Sequence, residues 1–213
     1  MNTHCKSLHP DDYAALSGYV ERFEQMARRV PASIEHHHRR WETAIALAAI
    51  DEIASGRGGT LLEIGSGGSL FAPLAASLDY DVTVVDPDNR VRYAIEQGRK
   101  IDRDIRVVQA SFLGNDLGTF DYVACLSVIE HVEDDAAFWR KALASANKGV
   151  VLTTDFSLTG ETFGPDHLRT YAPDDLRALS FQPGWTPLGR LDYADNGAHV
   201  YGYSFASLCL ERI

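Results

Sequence analysis

Glu63, Gly65, Gly67 and Asp86 form the pattern that most constrains the chemistry of this 213-residue chain. The turn Gly65-Ser66-Gly67 follows a β-rich run and precedes a helical one, so backbone can approach a ligand beside a helix N-terminus. Asp86 ends the next β-rich run, where a carboxylate can accept hydrogen bonds from both hydroxyls of a ribose. A glycine pair alone says little; its setting between strand and helix, with an acid one crossover later, points to a nucleoside-containing ligand.

Two further residues discriminate between ligands of that kind. A dinucleotide fingerprint needs a small residue three positions after the second glycine, and Leu70 stands there. Glu63, two residues before the first glycine, would repel a pyrophosphate but suits an ammonium or another cationic centre. A methionyl sulfonium with its α-amino group fits better than two phosphates, and a nicotinamide oxidoreductase becomes the distant alternative.

These residues lie within longer motifs. Leu61-Leu62-Glu63-Ile64-Gly65-Ser66-Gly67-Gly68-Ser69 resembles the first motif of class I S-adenosylmethionine-dependent methyltransferases. Val82-Thr83-Val84-Val85-Asp86-Pro87 resembles their ribose-binding strand, and the segment from Phe120 to Val132, ending Glu130-His131-Val132, resembles their fourth-strand motif. The resemblance covers roughly residues 60–155. It implies S-adenosylmethionine as cofactor, with Gly65, Ser66 and Gly67 lining its methionyl part and Glu63 orienting that part. Asp86 would hold the ribose and Pro87 would pack near the adenine. Ser111 and Phe112 would contact the adenine, although Ser111 stands where the family often has Asp, and Leu126 would belong to the cofactor site.

Methyl transfer from a sulfonium demands alignment with the acceptor and, for a hydroxyl acceptor, a general base. The candidate bases are His131, Asp155 and His167. His167, Arg169 and Tyr171 lie on the loop where the family builds substrate contacts. Some relatives bind a divalent ion through Glu-x-x-Glu-His and a distant His. Here Ser127 replaces the first carboxylate, so Glu130, His131 and His167 are a poor set and no metal is expected.

The stretch from Glu35 to Glu42 contains three consecutive histidines, which point in different directions on a helix and cannot share one metal. It reads either as a polar helix face with Trp41 buried or as a lid that brings Arg40 or His37 to the methionyl carboxylate or the acceptor. Tyr171, Trp185, Tyr193, Tyr201 and Tyr203 read mainly as packing.

The elements that must position these groups alternate. β-rich runs at 60–64, 81–85, 105–109, 120–126 and 149–154 enclose helical segments at 70–78, 90–100 and 134–146, a pattern that implies right-handed crossovers and a parallel sheet. A short helix at 173–179 and runs at 185–191 and 200–210 follow, the latter two joined by a hairpin through Asn196-Gly197. The fold class is therefore α/β, a Rossmann-like doubly wound sheet, mostly parallel with an antiparallel last strand. The seven β-rich runs make it seven-stranded. Residues 1–58 read as an N-terminal helical extension or lid, with helices from Pro10 to about Arg29 and from Ile34 to Ala54, packed on a domain of residues 59–213 as one unit.

With 20 Lys and Arg against 30 Asp and Glu, the net charge is −10, which disfavours nucleic acid as partner and favours a small-molecule acceptor. No run approaches the roughly 18 apolar residues of a membrane span. Cys5, Cys125 and Cys209 have no paired spacing and read as buried thiols, so a cytoplasmic, reducing location is expected. A non-catalytic relative serving as binding or scaffold protein is the second reading.

Overall fold

The computed structural model describes residues 4–30, 37–161, 167–194 and 204–213. The described chain opens with strand β1 (Cys5–Ser7) and helices α1 (Asp12–Ala15), α2 (Ser17–Arg29) and α3 (His37–Ala54). Then β2 (Gly59–Ile64), α4 (Phe71–Ser77), β3 (Tyr80–Val85), α5 (Tyr93–Lys100), β4 (Arg106–Val108) and β5 (Phe120–Leu126) alternate as the apolar runs demand. They are followed by α6 (Asp135–Ser145), β6 (Ala146–Phe156), α7 (Pro173–Ser180), β7 (Trp185–Pro187), β8 (Leu191–Asp192) and β9 (Ser204–Arg212).

The strands form one nine-stranded sheet of order β4-β3-β2-β5-β6-β9-β1-β8, with β7 also paired to β9. From β4 to β6 all neighbours are parallel, and β9 runs antiparallel to β6, as expected for the fold class. β2 pairs with β3 on one side and β5 on the other, so the order of strand addition reverses there. Such a switch point opens a crevice at the carboxyl ends of the strands.

The strand count exceeds the expected seven for local reasons. β1 lies in a stretch read as helical, but three residues are too few to show a strand period, and it pairs along β9 at Lys6–Ser207 and Ser7–Ala206. The run at 185–191 splits into β7 and β8 because Gly189 takes φ +91°. The Pro10–Arg29 helix breaks at Leu16, which lets Tyr13 and Leu16 cover a small cluster of Leu8, Trp41, Ile45 and Phe205. The hairpin through Asn196-Gly197 lies outside the described residues.

The middle of α3, from Ala44 to Ile50, is apolar all round because it is enclosed, and every residue from Trp41 to Leu47 is buried. It packs against α2 on one side and against β5, β6 and β9 on the other. Two carboxylates fix its angle. Asp12 accepts from Trp41 Nε1 at 2.9 Å and from Lys6 Nζ at 2.5 Å. Asp51 accepts from Tyr19 at 2.7 Å and from Tyr80 at 2.5 Å, which joins α2, α3 and β3. Cys5, Cys125 and Cys209 are buried free thiols. Among the described residues no helix is long and apolar enough to cross a membrane.

Candidate functional site

A cavity of about 480 Å³ opens at the carboxyl ends of β2, β3 and β5, within the usual range for small-molecule and cofactor pockets. Gly65, Ser66, Gly67, Asp86, Pro87, Ser111 and Phe112 all line it, which brings together seven of the residues expected to bind cofactor. Arg39, Val128, His131, Val132 and Phe138 complete much of the wall.

The turn after β2 depends on glycine for a stated reason. Gly65 has φ +71°, and a Cβ there would lie 2.4 Å from Val128 Cγ2. Its N–H donates to Val85 O at 2.8 Å, and Gly67 N–H donates to Asp86 Oδ2 at 2.8 Å. The N–H groups of Gly68, Ser69 and Phe71 are donated to Ser66 Oγ, Ser66 O and Ser69 Oγ. A turn whose N–H groups serve the protein itself is no nest for a pyrophosphate.

Asp86 also accepts from Asp88 N at 2.8 Å on its other oxygen. A carboxylate offers about four lone-pair positions, so each oxygen keeps capacity for a ribose hydroxyl. Glu63 differs from expectation. It is buried behind the turn and absent from the cavity wall, where Oε1 accepts from Ser69 Oγ at 2.7 Å. Its first effect is to hold the turn, and Oε2 is buried without a hydrogen bond. Burial pushes its carboxyl up to about 7, against the hydroxyls of Ser69 and Ser66 and the charge of Arg39.

The end of the cavity around Phe112 is held by Lys141. Its Nζ donates to Phe112 O at 2.6 Å and lies 4.9 Å from the Phe112 ring centroid. Phe112 in turn meets Phe138 edge-on at 5.5 Å. Leu126 is buried, and it is its carbonyl that faces the site's machinery, accepting from Arg39 Nη1 at 3.0 Å.

The N-terminal helix contributes a cation, but not the expected one. Arg40 pairs with Glu24 at 2.7 Å and lies over the Tyr13 ring, away from the cavity. Arg39, about 100° round the helix, lines the cavity instead. Trp41 is fully buried in the Leu8–Ile45–Phe205 cluster and does not line the cavity. The side chain of His37 lies outside the described residues. The signal for Arg39 was the spacing Arg39-x-x-Glu42, which puts both side chains on one face of α3.

Beyond the wall, His131 meets His167 edge-on with centroids 4.8 Å apart, and His167 Nδ1 pairs with Asp155 Oδ2. The three candidate bases are thus contiguous, with His131 at the cavity and Asp155 innermost. Burial and the charge of Glu42 raise Asp155, and burial and the charge of Asp155 raise Glu130. Arg169 and Tyr171 do not reach the cavity. Arg169 pairs with Asp135 and donates to Glu133 O at 2.9 Å, and Tyr171 donates to Asp135 at 2.9 Å, so both fasten the loop after β6 onto α6. Among the described residues no three His, Cys, Asp or Glu side chains group to hold a metal ion. Glu130 turns inward to Thr154 while His131 turns outward.

The chain matches the family model described as a methyltransferase domain over residues 33–192. It belongs to that family, within the class I S-adenosylmethionine-dependent methyltransferases that its motifs resemble. A ubiquinone biosynthesis O-methyltransferase from Caulobacter sp. (strain K31) is 34% identical over 125 residues, covering 53% of this chain and 49% of the relative. The chain spans about half the length of the curated relatives it matches. In fold it is similar to TehB from Haemophilus influenzae, with a TM-score of 0.68, 15% identity, and 90% of this chain and 67% of that one covered. It is also similar to a 1,6-didemethyltoxoflavin-N1-methyltransferase from Burkholderia thailandensis, with a TM-score of 0.59, 20% identity, and 96% and 91% covered.

Glu63 gives a pH prediction with a definite sign. Its carboxyl is raised from 4.5 to about 7 in the folded protein, so the folded state holds a proton that the unfolded chain has released. Stability from this group is therefore lost as pH rises from 4.5 toward about 7. Denaturant unfolding of wild type and Glu63→Gln should show wild type falling relative to the variant across that window. A difference independent of pH, or of opposite slope, contradicts the assignment.

Proposed function

We propose that this chain transfers a methyl group from S-adenosylmethionine to a small molecule at oxygen or nitrogen, with a hydroxyl acceptor favoured. The observation that carries this reading is the cavity wall itself: the glycine turn, Asp86 and Arg39 at one end, and His131, backed by His167 and Asp155, beside it. The name of the curated relatives supports an oxygen acceptor, and the toxoflavin-type neighbour, described with its acceptor and S-adenosylhomocysteine, supports a small ring compound.

The residues fit the cofactor. A ribose diol suits the remaining lone pairs of Asp86, and the apolar faces of Phe112 and Val132 suit an adenine. Arg39 matches the methionyl carboxylate. Asp86 at the edge of the turn makes the surroundings favourable for the ammonium and sulfonium charges. When bound, S-adenosylmethionine supplies an activated methyl for in-line displacement. This chain's part is to align the acceptor and exclude water, and alignment alone can lower a barrier by roughly 7–11 kcal/mol. His131 at the cavity wall takes the hydroxyl proton, with His167, paired through Nδ1 with Asp155, behind it as the group that positions and backs it.

The non-catalytic reading differs in one observable: it allows cofactor binding without turnover. Asp86→Ala removes both the ribose acceptor and the Gly67 tether, so S-adenosylhomocysteine affinity by calorimetry should fall by more than about tenfold. Unchanged affinity would remove Asp86 from the site. Release of S-adenosylhomocysteine is to be followed with a panel of mono- and dihydroxybenzoates. His167→Ala should lower kcat by about 10²-fold while leaving cofactor affinity within about twofold. A wild type that binds the cofactor product yet turns over none of a broad acceptor panel brings the scaffold reading forward.

A further inference from the structure

Glu42 is fully buried on α3, and the steps above make no use of it. A charge is expensive to bury unless it is paired and hydrogen-bonded, and Glu42 is both. Oε1 accepts from Thr153 Oγ1 of β6 at 2.5 Å and from Ser127 Oγ, just past β5. Oε2 faces Arg39 Nη1 at 3.3 Å, and the same guanidinium nitrogen donates to Leu126 O. Ser127 lines the cavity with φ +50°, a strained conformation for a residue other than glycine.

Arg39 has several carboxylates to choose from. Its charge acts on both Glu63 and Asp155, lowering each. An arginine among competing anions is aimed only if one of them is immobile. Glu42 is the one paired with it directly, and the hydroxyls of Thr153 on β6 and Ser127 just past β5 hold its other oxygen.

We infer that Glu42 is a positioning residue that sets the specificity for the amino-acid half of the cofactor, by fixing Arg39 toward the cavity and Ser127 in its wall. The inference rests on the proposed function, since it takes Arg39 to meet the methionyl carboxylate. Glu42 itself touches no reacting group. Its loss therefore weakens ligands that carry the carboxylate and spares those that lack it.

Two ligands separate this role from a general structural one. S-adenosylhomocysteine carries the amino-acid half, and methylthioadenosine keeps the adenosine and thioether without it. In Glu42→Gln, S-adenosylhomocysteine should bind about tenfold more weakly by calorimetry, with methylthioadenosine within about twofold of wild type. In an Arg39→Ala background, Glu42→Gln should add less than about twofold, because both variants remove one interaction. If Glu42→Gln fails to fold, Thr153→Val keeps the shape and the charge while loosening the carboxylate, and should weaken S-adenosylhomocysteine about threefold with methylthioadenosine unchanged.

Equal weakening of both ligands, or undiminished S-adenosylhomocysteine binding, overturns the inference. So do additive effects of Glu42→Gln and Arg39→Ala. A wild-type protein that binds no S-adenosylhomocysteine overturns the proposed function, and this inference with it, which keeps the two failures distinct.

Discussion

Val128 occupies the space that any side chain at position 65 would need, and this contact shapes the rest of the site. Because Gly65 can pass beneath Val128 at positive φ, the loop after β2 stays low and meets the end of β5. The next tie follows from that closeness: Gly67 reaches back to Asp86 at the end of β3. Three strand ends are joined by one loop and one carboxylate, and the cavity is the space left beside them. The parallel sheet makes this rigid, since β2, β3 and β5 are in continuous register up to the turn.

The electrostatics follow from the same closure. With its N–H groups engaged internally, the turn offers little to an anion, and Asp86 adds negative charge beside it. Positive charge enters from α3 through Arg39. Glu42, Glu63, Glu130 and Asp155 are all buried near this switch point, an arrangement that weighs against stability. Buried carboxylates concentrated where strands end, rather than spread through the core, mark the place where the fold gives up some stability for function.

Much of this was legible in the sequence, and the failures have definite causes. The strands from β2 to β6 carry continuous apolar runs because both faces of the sheet are covered, so their positions and order could be read directly. The glycine turn and Asp86 were legible because their roles depend on backbone conformation and on a strand end. Side-chain direction was harder. Glu63 stands at the expected position, but its carboxylate goes to Ser69, a contact that position in the motif cannot reveal. The exchange of Arg40 for Arg39 is one residue of helix phase, and phase is difficult to read in a helix buried on nearly every side. Arg169 and Tyr171 were expected at the acceptor; their partner Asp135 lies on α6, and a pairing so distant in sequence leaves no local pattern. β1 was missed because its partner, β9, lies at the other end of the chain.

Equilibrium titration of the wild-type protein with S-adenosylhomocysteine and, separately, with NADH is the most direct measurement of what the turn accepts. Saturable one-to-one binding of S-adenosylhomocysteine with no detectable binding of NADH is the expected result. Saturable NADH binding by a chain that ignores S-adenosylhomocysteine would contradict the reading of Gly65, Glu63 and Asp86 on which the rest depends.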